Sequence, residues 1–175
     1  MTLFDSVHVK GGRSNEAEHI QKLQTEGYQV VCADATDFNL NRQFDIIVAG
    51  ELMEHLTNPG GFLTCARQHL RAEGKLVLTM PNAICLNYFI QNIFKGHELD
   101  NLDHCCLYSE TTLRCLLKRY GFQIEQVVYY PELGGAGQGS FLNRFSWWGR
   151  QALQYACAPV RPSLCHHFIA VARQE

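Results

Sequence analysis

The sequence lacks several features that would assign it to common protein classes. No uninterrupted apolar run reaches the roughly 18 residues that a membrane-spanning helix requires. The first residues carry neither the basic stretch nor the long apolar core of a secretion signal. The 15 Lys and Arg residues are offset by 17 Asp and Glu residues, so no positive excess favours a nucleic-acid partner. These absences predict a cytoplasmic protein that binds no nucleic acid.

Motifs of several common enzyme and metal-binding classes are absent as well. There is no Gly-x-Gly-x-x-Gly loop between a strand and a helix, no Gly-x-x-x-x-Gly-Lys-Ser/Thr loop and no Gly-x-Ser-x-Gly elbow. Eight cysteines are present, but none are paired as Cys-x-x-Cys, so we predict no metal site. The runs His104-Cys105-Cys106 and Cys165-His166-His167 are therefore interpreted as packing and surface residues.

What the sequence does contain is an alternation of apolar strands and amphipathic helices. Strands are predicted over residues 7–9, 29–34, 44–50, 75–80, 122–130 and 168–172, and helices over 15–27, 59–70 and 109–120. This alternation predicts a single α/β domain over residues 1–175 with a largely parallel sheet.

Residues 131–163 are predicted to be an aromatic and glycine-rich insertion before the last strand. Four of the eight residues 133–140 are glycine, which is typical of a flexible loop. In residues 141–150, aromatic side chains alternate with arginines. We favour a helix docked on the sheet there, and the alternatives are a substrate lid or a helix that contacts lipid headgroups.

Three stretches in the middle of the chain carry a resemblance to a known family. They read CADATDF over 32–38, FDIIVAGELMEHL over 44–56 and LRAEGKLVLTMPN over 70–82. In this order and spacing they resemble the ends of the third, fourth and fifth strands of class I S-adenosylmethionine-dependent methyltransferases. The later runs Asp103-His104, Tyr108-Ser109 and Tyr120-Gly121-Phe122 are similar to the small-molecule branch of that family. The resemblance covers roughly residues 15–130 and implies a three-layer, Rossmann-like α/β sheet.

The resemblance further implies S-adenosylmethionine as the cofactor and a set of residues that bind it. Asp34 would accept a hydrogen bond from the adenine amino group, and the Ala35 backbone N–H would meet a ring nitrogen. Gly50 and Glu51 would line the cofactor crevice, and Leu52 would approach its methyl-bearing side. A purely local role for Asp34, capping the turn after its strand, is the alternative.

The acceptor side of the implied site contains two histidines. His55 would approach the methyl group, and His104 is the candidate general base for an acceptor hydroxyl, because imidazole titrates near neutral pH. The competing interpretations are that Glu54-His55 is a solvated helix start and that His104 is structural.

The chain also departs from the family pattern near its first residues. The family's first strand and glycine loop have no counterpart here, and Gly12 stands where the ribose-binding acidic residue is expected. We therefore expect an N-terminally truncated sheet, to be completed by an N-terminal segment or by a homo-oligomer. In another alignment, Val7 to Lys10 is the first strand and Asp34 binds the ribose, but the nine residues between Asp34 and Phe44 are too few for the helix and strand required.

Three functions follow from these observations. The leading hypothesis is a methyltransferase acting on a small-molecule oxygen, nitrogen or carbon acceptor, impaired by the missing cofactor loop. The second is a non-catalytic methyltransferase-like module that binds a partner. The third, which we favour least, is a membrane-peripheral enzyme that methylates a lipid-linked substrate.

Overall fold

The computed structural model describes residues 16–95, 103–131 and 159–175, together with positions 149, 152, 155 and 156. The helices are α1 (Glu16–Thr25), α2 (Pro59–His69), α3 (Leu86–Lys95) and α4 (Glu110–Arg119). The strands are β1 (Phe44–Gly50), β2 (Leu70–Pro81), β3 (Phe122–Tyr130) and β4 (His167–Gln174). Two short 3₁₀ turns cover Met53–His55 and Pro162–Leu164.

Local sequence chemistry sets the ends of the two central helices. The Asn58 side chain accepts a hydrogen bond from the Gly61 N–H at 3.0 Å, and proline occupies the first turn of α2. Ser109 and Thr112 satisfy each other's backbone N–H groups in a capping box at the start of α4. Gly121 follows α4 with φ of +75°, a conformation that favours glycine. The predicted start of α2 and both predicted ends of α4 are thereby confirmed, whereas α2 gives way at His69 directly to β2, which begins at Leu70 rather than at the predicted residue 75.

The four strands form one mixed sheet in the order β1-β2-β4-β3. β1 and β2 are parallel, whereas β4 is antiparallel to both of its neighbours. Tyr130, the last residue of β3, pairs with His167, the first residue of β4, so their connection leaves and returns at the same edge. The open α/β sheet agrees with the predicted Rossmann-like class. Because β4 is antiparallel to both neighbours, the sheet is mixed rather than largely parallel, whereas the alternation of strands and helices predicts a largely parallel one.

The strand predicted over residues 29–34 is wrong. Residues 28–33 adopt no regular structure, and Asp34 makes only an isolated bridge to Asp37. A strand requires a neighbour for its backbone hydrogen bonds, and within the described residues β1 pairs with β2 alone. The predicted strand at 7–9 lies outside the described residues, and an N-terminally truncated sheet stays a prediction.

One face of the sheet carries the hydrophobic core. Its fully buried side chains come from the two central strands and from the helices that cover them: Leu76, Leu78, Met80, Phe168, Leu63, Leu113 and Leu117. On the opposite face of β1, Ile46 and Val48 are 59% and 66% exposed. Burial of the first set supplies most of the driving force for folding.

Helix α3 was not predicted, because its run of aromatic and branched residues after Pro81-Asn82 does not favour helix over strand. No helix in the described part of the chain is long and apolar enough to cross a bilayer. Most of the predicted insertion, including 132–148, lies outside the described residues.

Candidate active site

Four strand ends meet at one edge of the sheet. β1 ends at Gly50, β2 ends at Pro81 and β3 ends at Tyr130, and all three strands run toward the edge where β4 begins with His167. In open α/β sheets, ligands bind in the crevice outside the carboxyl ends of the strands. This edge is therefore the place to look for a site.

Glu51 is held at this edge by the neighbouring strand. Its φ of +48° is rare for a residue other than glycine. Its N–H lies 2.9 Å from the Thr79 carbonyl and 3.2 Å from the Thr79 hydroxyl. The Thr79 hydroxyl in turn donates to Glu51 Oε1 at 3.1 Å, and Oε2 lies 3.6 Å from His167 Nε2. The exposed carboxylate is thus fixed beside Gly50.

The structure brings together the two histidines that the sequence assigned to the acceptor side. The rings of His55 and His104 meet edge to face with centroids 4.6 Å apart. His55 Nδ1 lies 3.1 Å from the carbonyl oxygen of Asp103. Because a carbonyl only accepts, Nδ1 carries the proton, and Nε2 keeps its lone pair when the ring is neutral. His55 can therefore accept a proton at Nε2.

A buried carboxylate lies beneath this pair. Glu54 is fully buried, and its backbone carbonyl accepts hydrogen bonds from the N–H groups of Cys105 at 2.7 Å and Cys106 at 3.2 Å. These bonds tie the segment carrying His104 to the 3₁₀ turn carrying His55. Burial first, then Cys106 and the Glu54 charge, raise the pKa of Tyr108 well above its ordinary value.

The same group forms a candidate metal site that the sequence analysis did not predict. The ligand atoms of Glu54, His55 and His104 lie within 4.8 Å of one another. A carboxylate with two imidazoles is a donor set that zinc and other divalent transition metals accept. The two histidines are far apart in the chain, so no local spacing indicates this site.

Asp34 forms a compact turn against the start of α2. Its Oδ1 accepts hydrogen bonds from the Thr36 N–H and hydroxyl, both at 2.8 Å. Ala35 is buried, and a side chain at Gly61 would approach the Thr36 carbonyl to 2.7 Å, so only glycine lets the turn pack this closely. The turn-capping role of Asp34 is thus observed. A carboxylate has further acceptor positions, so capping does not exclude a ligand.

The remaining predicted residue, Leu52, is partly buried and packs against the core. Sequence reasoning missed the second histidine pair, His166 and His167, whose rings have centroids 4.5 Å apart. Tyr130 stacks on His167 with centroids 5.4 Å apart and an angle of 14° between the rings. The sequence pattern Cys165-His166-His167 was interpreted as packing and surface residues. The position of His167 immediately before the strand predicted over 168–172 was the available signal.

Comparison with known proteins identifies the class to which this architecture is similar. A family model described as a methyltransferase domain matches residues 1–127. A solved S-adenosylmethionine-dependent methyltransferase from Clostridium acetobutylicum superimposes with a TM-score of 0.58 at 11% identity, covering 93% of this chain and 72% of that one. Magnesium protoporphyrin IX methyltransferase from Synechocystis PCC 6803, solved with bound SAH, gives a TM-score of 0.56 at 11% identity, with 93% and 59% coverage.

A curated relative is similar in sequence over most of this chain. The mitochondrial ubiquinone biosynthesis O-methyltransferase of Rattus norvegicus is 28% identical over 151 residues. That alignment covers 78% of this chain but only 40% of the rat protein. The alignment with this chain therefore spans less than half the length of the rat protein.

Proposed function

Since the chain belongs to the methyltransferase domain family, we propose that it binds S-adenosylmethionine and transfers the methyl group to a hydroxyl oxygen of a small molecule. The observation that carries the proposal is the edge where β1 ends at Gly50, Glu51 follows it, and His55 meets His104. An oxygen acceptor is supported by the O-methyltransferase name of the rat relative. A cytoplasmic location stays a prediction, and that relative is mitochondrial by name.

The residues at the edge suit the chemistry of this cofactor. Asp34 offers an exposed carboxylate on a fixed turn, as the adenine amino group requires, and the Ala35 N–H is adjacent in the chain. Gly50 has no side chain to obstruct the crevice, and Glu51 offers a negative charge at its rim. When bound, S-adenosylmethionine supplies an electrophilic methyl group on a positively charged sulfur.

The histidines on the acceptor side would handle the proton. Transfer would join the acceptor oxygen to the methyl carbon while the carbon–sulfur bond breaks and leaves its electron pair on sulfur. His104 takes the hydroxyl proton, which raises the nucleophilicity of the oxygen. His55 orients His104 through their edge-to-face contact, while Leu52 presents an apolar wall. Most of the rate enhancement would come from alignment of the two reactants.

A divalent metal on Glu54, His55 and His104 is the competing use of the same side chains. The metal would occupy the lone pair of His104, so that residue could not also be the base. Turnover that is lost on chelation and restored by added zinc or manganese would favour the metal.

The direct test is transfer of a radiolabelled methyl group from S-adenosylmethionine to a panel of small hydroxylated aromatic acceptors. We expect turnover by the wild-type chain, and loss of most of it in His104→Gln. Cofactor binding without transfer to any acceptor would favour a non-catalytic methyltransferase-like module. Transfer only in the presence of lipid vesicles would favour the membrane-peripheral alternative, whose aromatic segment at 141–148 lies outside the described residues.

A further inference from the structure

The second histidine pair has no part in the function proposed above. His167 Nε2 lies 3.6 Å from Glu51 Oε2, and His167 Nδ1 lies 3.2 Å from His166 Nδ1. The two histidines are hydrogen-bonded to each other and Glu51 lies within ion-pair distance of His167, so the three side chains form a series that runs from the proposed cofactor crevice into the segment before β4.

Buried contacts from two other strands fix this series in place. Asn82, the residue after β2, is fully buried, and its N–H donates to the His166 carbonyl at 2.8 Å. The Asn82 amide donates to the carbonyls of Cys165 at 2.9 Å and Ser163 at 2.7 Å. On the other side, Tyr130 stacks on the ring of His167. The backbone before β4 is thus held by the residue that follows β2, and the His167 ring is held against β3.

The ring nitrogens that carry protons can be assigned from which atoms donate and which accept. Glu51 Oε2 lies 3.6 Å from His167 Nε2, beyond hydrogen-bond distance, but its negative charge favours the tautomer of a neutral His167 that has the proton on Nε2. The Nδ1 atom of His167 then carries the lone pair and must accept, which places the proton of His166 on Nδ1. Each residue orients the next, as carboxylate–histidine pairs do in other proteins.

We propose that His167, oriented by His166, is a positioning residue that holds the Glu51 carboxylate in the crevice and sets its effective charge. This proposal rests on the proposed function in one respect, that Glu51 lies beside the cofactor. With His167 neutral, Glu51 attracts the positive sulfur of S-adenosylmethionine. With His167 protonated, that attraction is offset. The pair would thereby favour the charged cofactor over its neutral product, S-adenosylhomocysteine.

Other charges around the pair come from several elements. Tyr130 faces His167 from β3, and burial together with Glu51 and Glu54 raises the pKa of Tyr130, so it stays neutral at physiological pH. Tyr88 of α3 packs on His166 with ring centroids 5.1 Å apart. The side chains that face the pair are thus Glu51, which follows β1, Tyr130 of β3 and Tyr88 of α3.

The first test measures the affinities of the purified chain for both cofactor forms by calorimetry between pH 5.5 and 8.0. We expect the preference for S-adenosylmethionine over S-adenosylhomocysteine to rise about fivefold with pH, which is about 1 kcal/mol. His167→Asn keeps a side-chain donor and should abolish this rise, whereas His104→Gln should retain it. An unchanged rise in His167→Asn, or no rise in the wild type, would overturn the proposal.

The second test does not depend on cofactor binding. Nitrogen-15 NMR of the imidazoles should show the proton on Nε2 of His167 and on Nδ1 of His166 at pH 8. Glu51→Gln should give a mixture of tautomers at His167, because an amide can donate as well as accept. The opposite tautomers in the wild type would refute the series even if both cofactor forms bind. If neither form binds, the proposed function fails while this measurement still decides the arrangement of the pair.

Discussion

The two histidine pairs at the carboxyl edge of the sheet are built in different ways. His55 and His104 come from a 3₁₀ turn and from the segment before α4, and they sit beside the buried Glu54. His166 and His167 are adjacent in sequence at the start of β4 and face the exposed Glu51. Charges that are shielded from water interact more strongly than exposed ones. We therefore expect substitutions in the first pair to have large effects on turnover. Substitutions in the second pair should have modest effects on the preference for S-adenosylmethionine over S-adenosylhomocysteine.

The largest effect is expected for His104→Gln. Loss of a general base typically lowers turnover by about 100-fold or more, while affinity for S-adenosylhomocysteine should stay within about twofold, since His104 is placed on the acceptor side. Steady-state kinetics and calorimetry on the same preparation measure both quantities. A loss of affinity that parallels the loss of turnover would instead assign His104 a structural role.

A smaller effect, on stability in alkaline solution, is expected for the tyrosine near each histidine pair. The folded chain holds the pKa of Tyr108 above the value of about 10 in an unfolded chain, chiefly through burial. Because the unfolded chain then ionises first, the free energy of unfolding falls as the pH rises above about 10. Tyr108→Phe removes this loss and should move the alkaline unfolding midpoint to higher pH, as followed by circular dichroism.

Tyr130→Phe provides the matched comparison near the second histidine pair, His166 and His167. The pKa of Tyr130 is also raised, by burial and then by the charge of Glu51. Its side chain keeps more contact with water than that of Tyr108, so the alkaline midpoint should move in the same direction but less. A larger shift for Tyr130→Phe than for Tyr108→Phe would reverse the contrast drawn between the two environments.

The smallest effect concerns the cysteines beside each pair. Cys105 and Cys106, next to His104, are exposed, whereas Cys165, next to His166, is buried and burial raises its thiol pKa. Since the thiolate is the reactive form, iodoacetamide at pH 7.5 should modify Cys165 at least about tenfold more slowly. Peptide mass spectrometry over time measures each rate. Equal rates would mean that the segment before β4 opens readily.

The sequence was most informative where a local pattern decides the structure. The apolar runs of β1 and β2 and the capping residues of α4 are such patterns, and all three elements were predicted. The strand predicted at 29–34 failed because pairing depends on a neighbouring strand, which no local pattern reveals. Helix α3 was missed because its aromatic and branched residues are compatible with either helix or strand.

In the candidate site too, the sequence indicated some residues, while other contacts depend on the folded structure. The resemblance indicated His55 and His104 individually, and the structure places their rings in contact, while their roles stay a prediction. The link from Glu51 to His167 joins residues that are distant in the chain and depends on the register of β2 against β4. Glu54 is part of the candidate site as a fully buried side chain, and the sequence Glu54-His55 does not indicate that it is buried.

The measurement that tests the central claim most directly is calorimetric titration of the chain with S-adenosylhomocysteine, repeated on Asp34→Asn and Thr36→Ala. Asparagine keeps the oxygen that accepts from Thr36, so the turn should persist, but it replaces the second carboxylate oxygen with a donor that repels the adenine amino group. Thr36→Ala removes one turn hydrogen bond and leaves the carboxylate intact. The account predicts micromolar binding that weakens at least about tenfold in Asp34→Asn and little in Thr36→Ala. Absence of binding at millimolar ligand, or equal binding by all three chains, would contradict it.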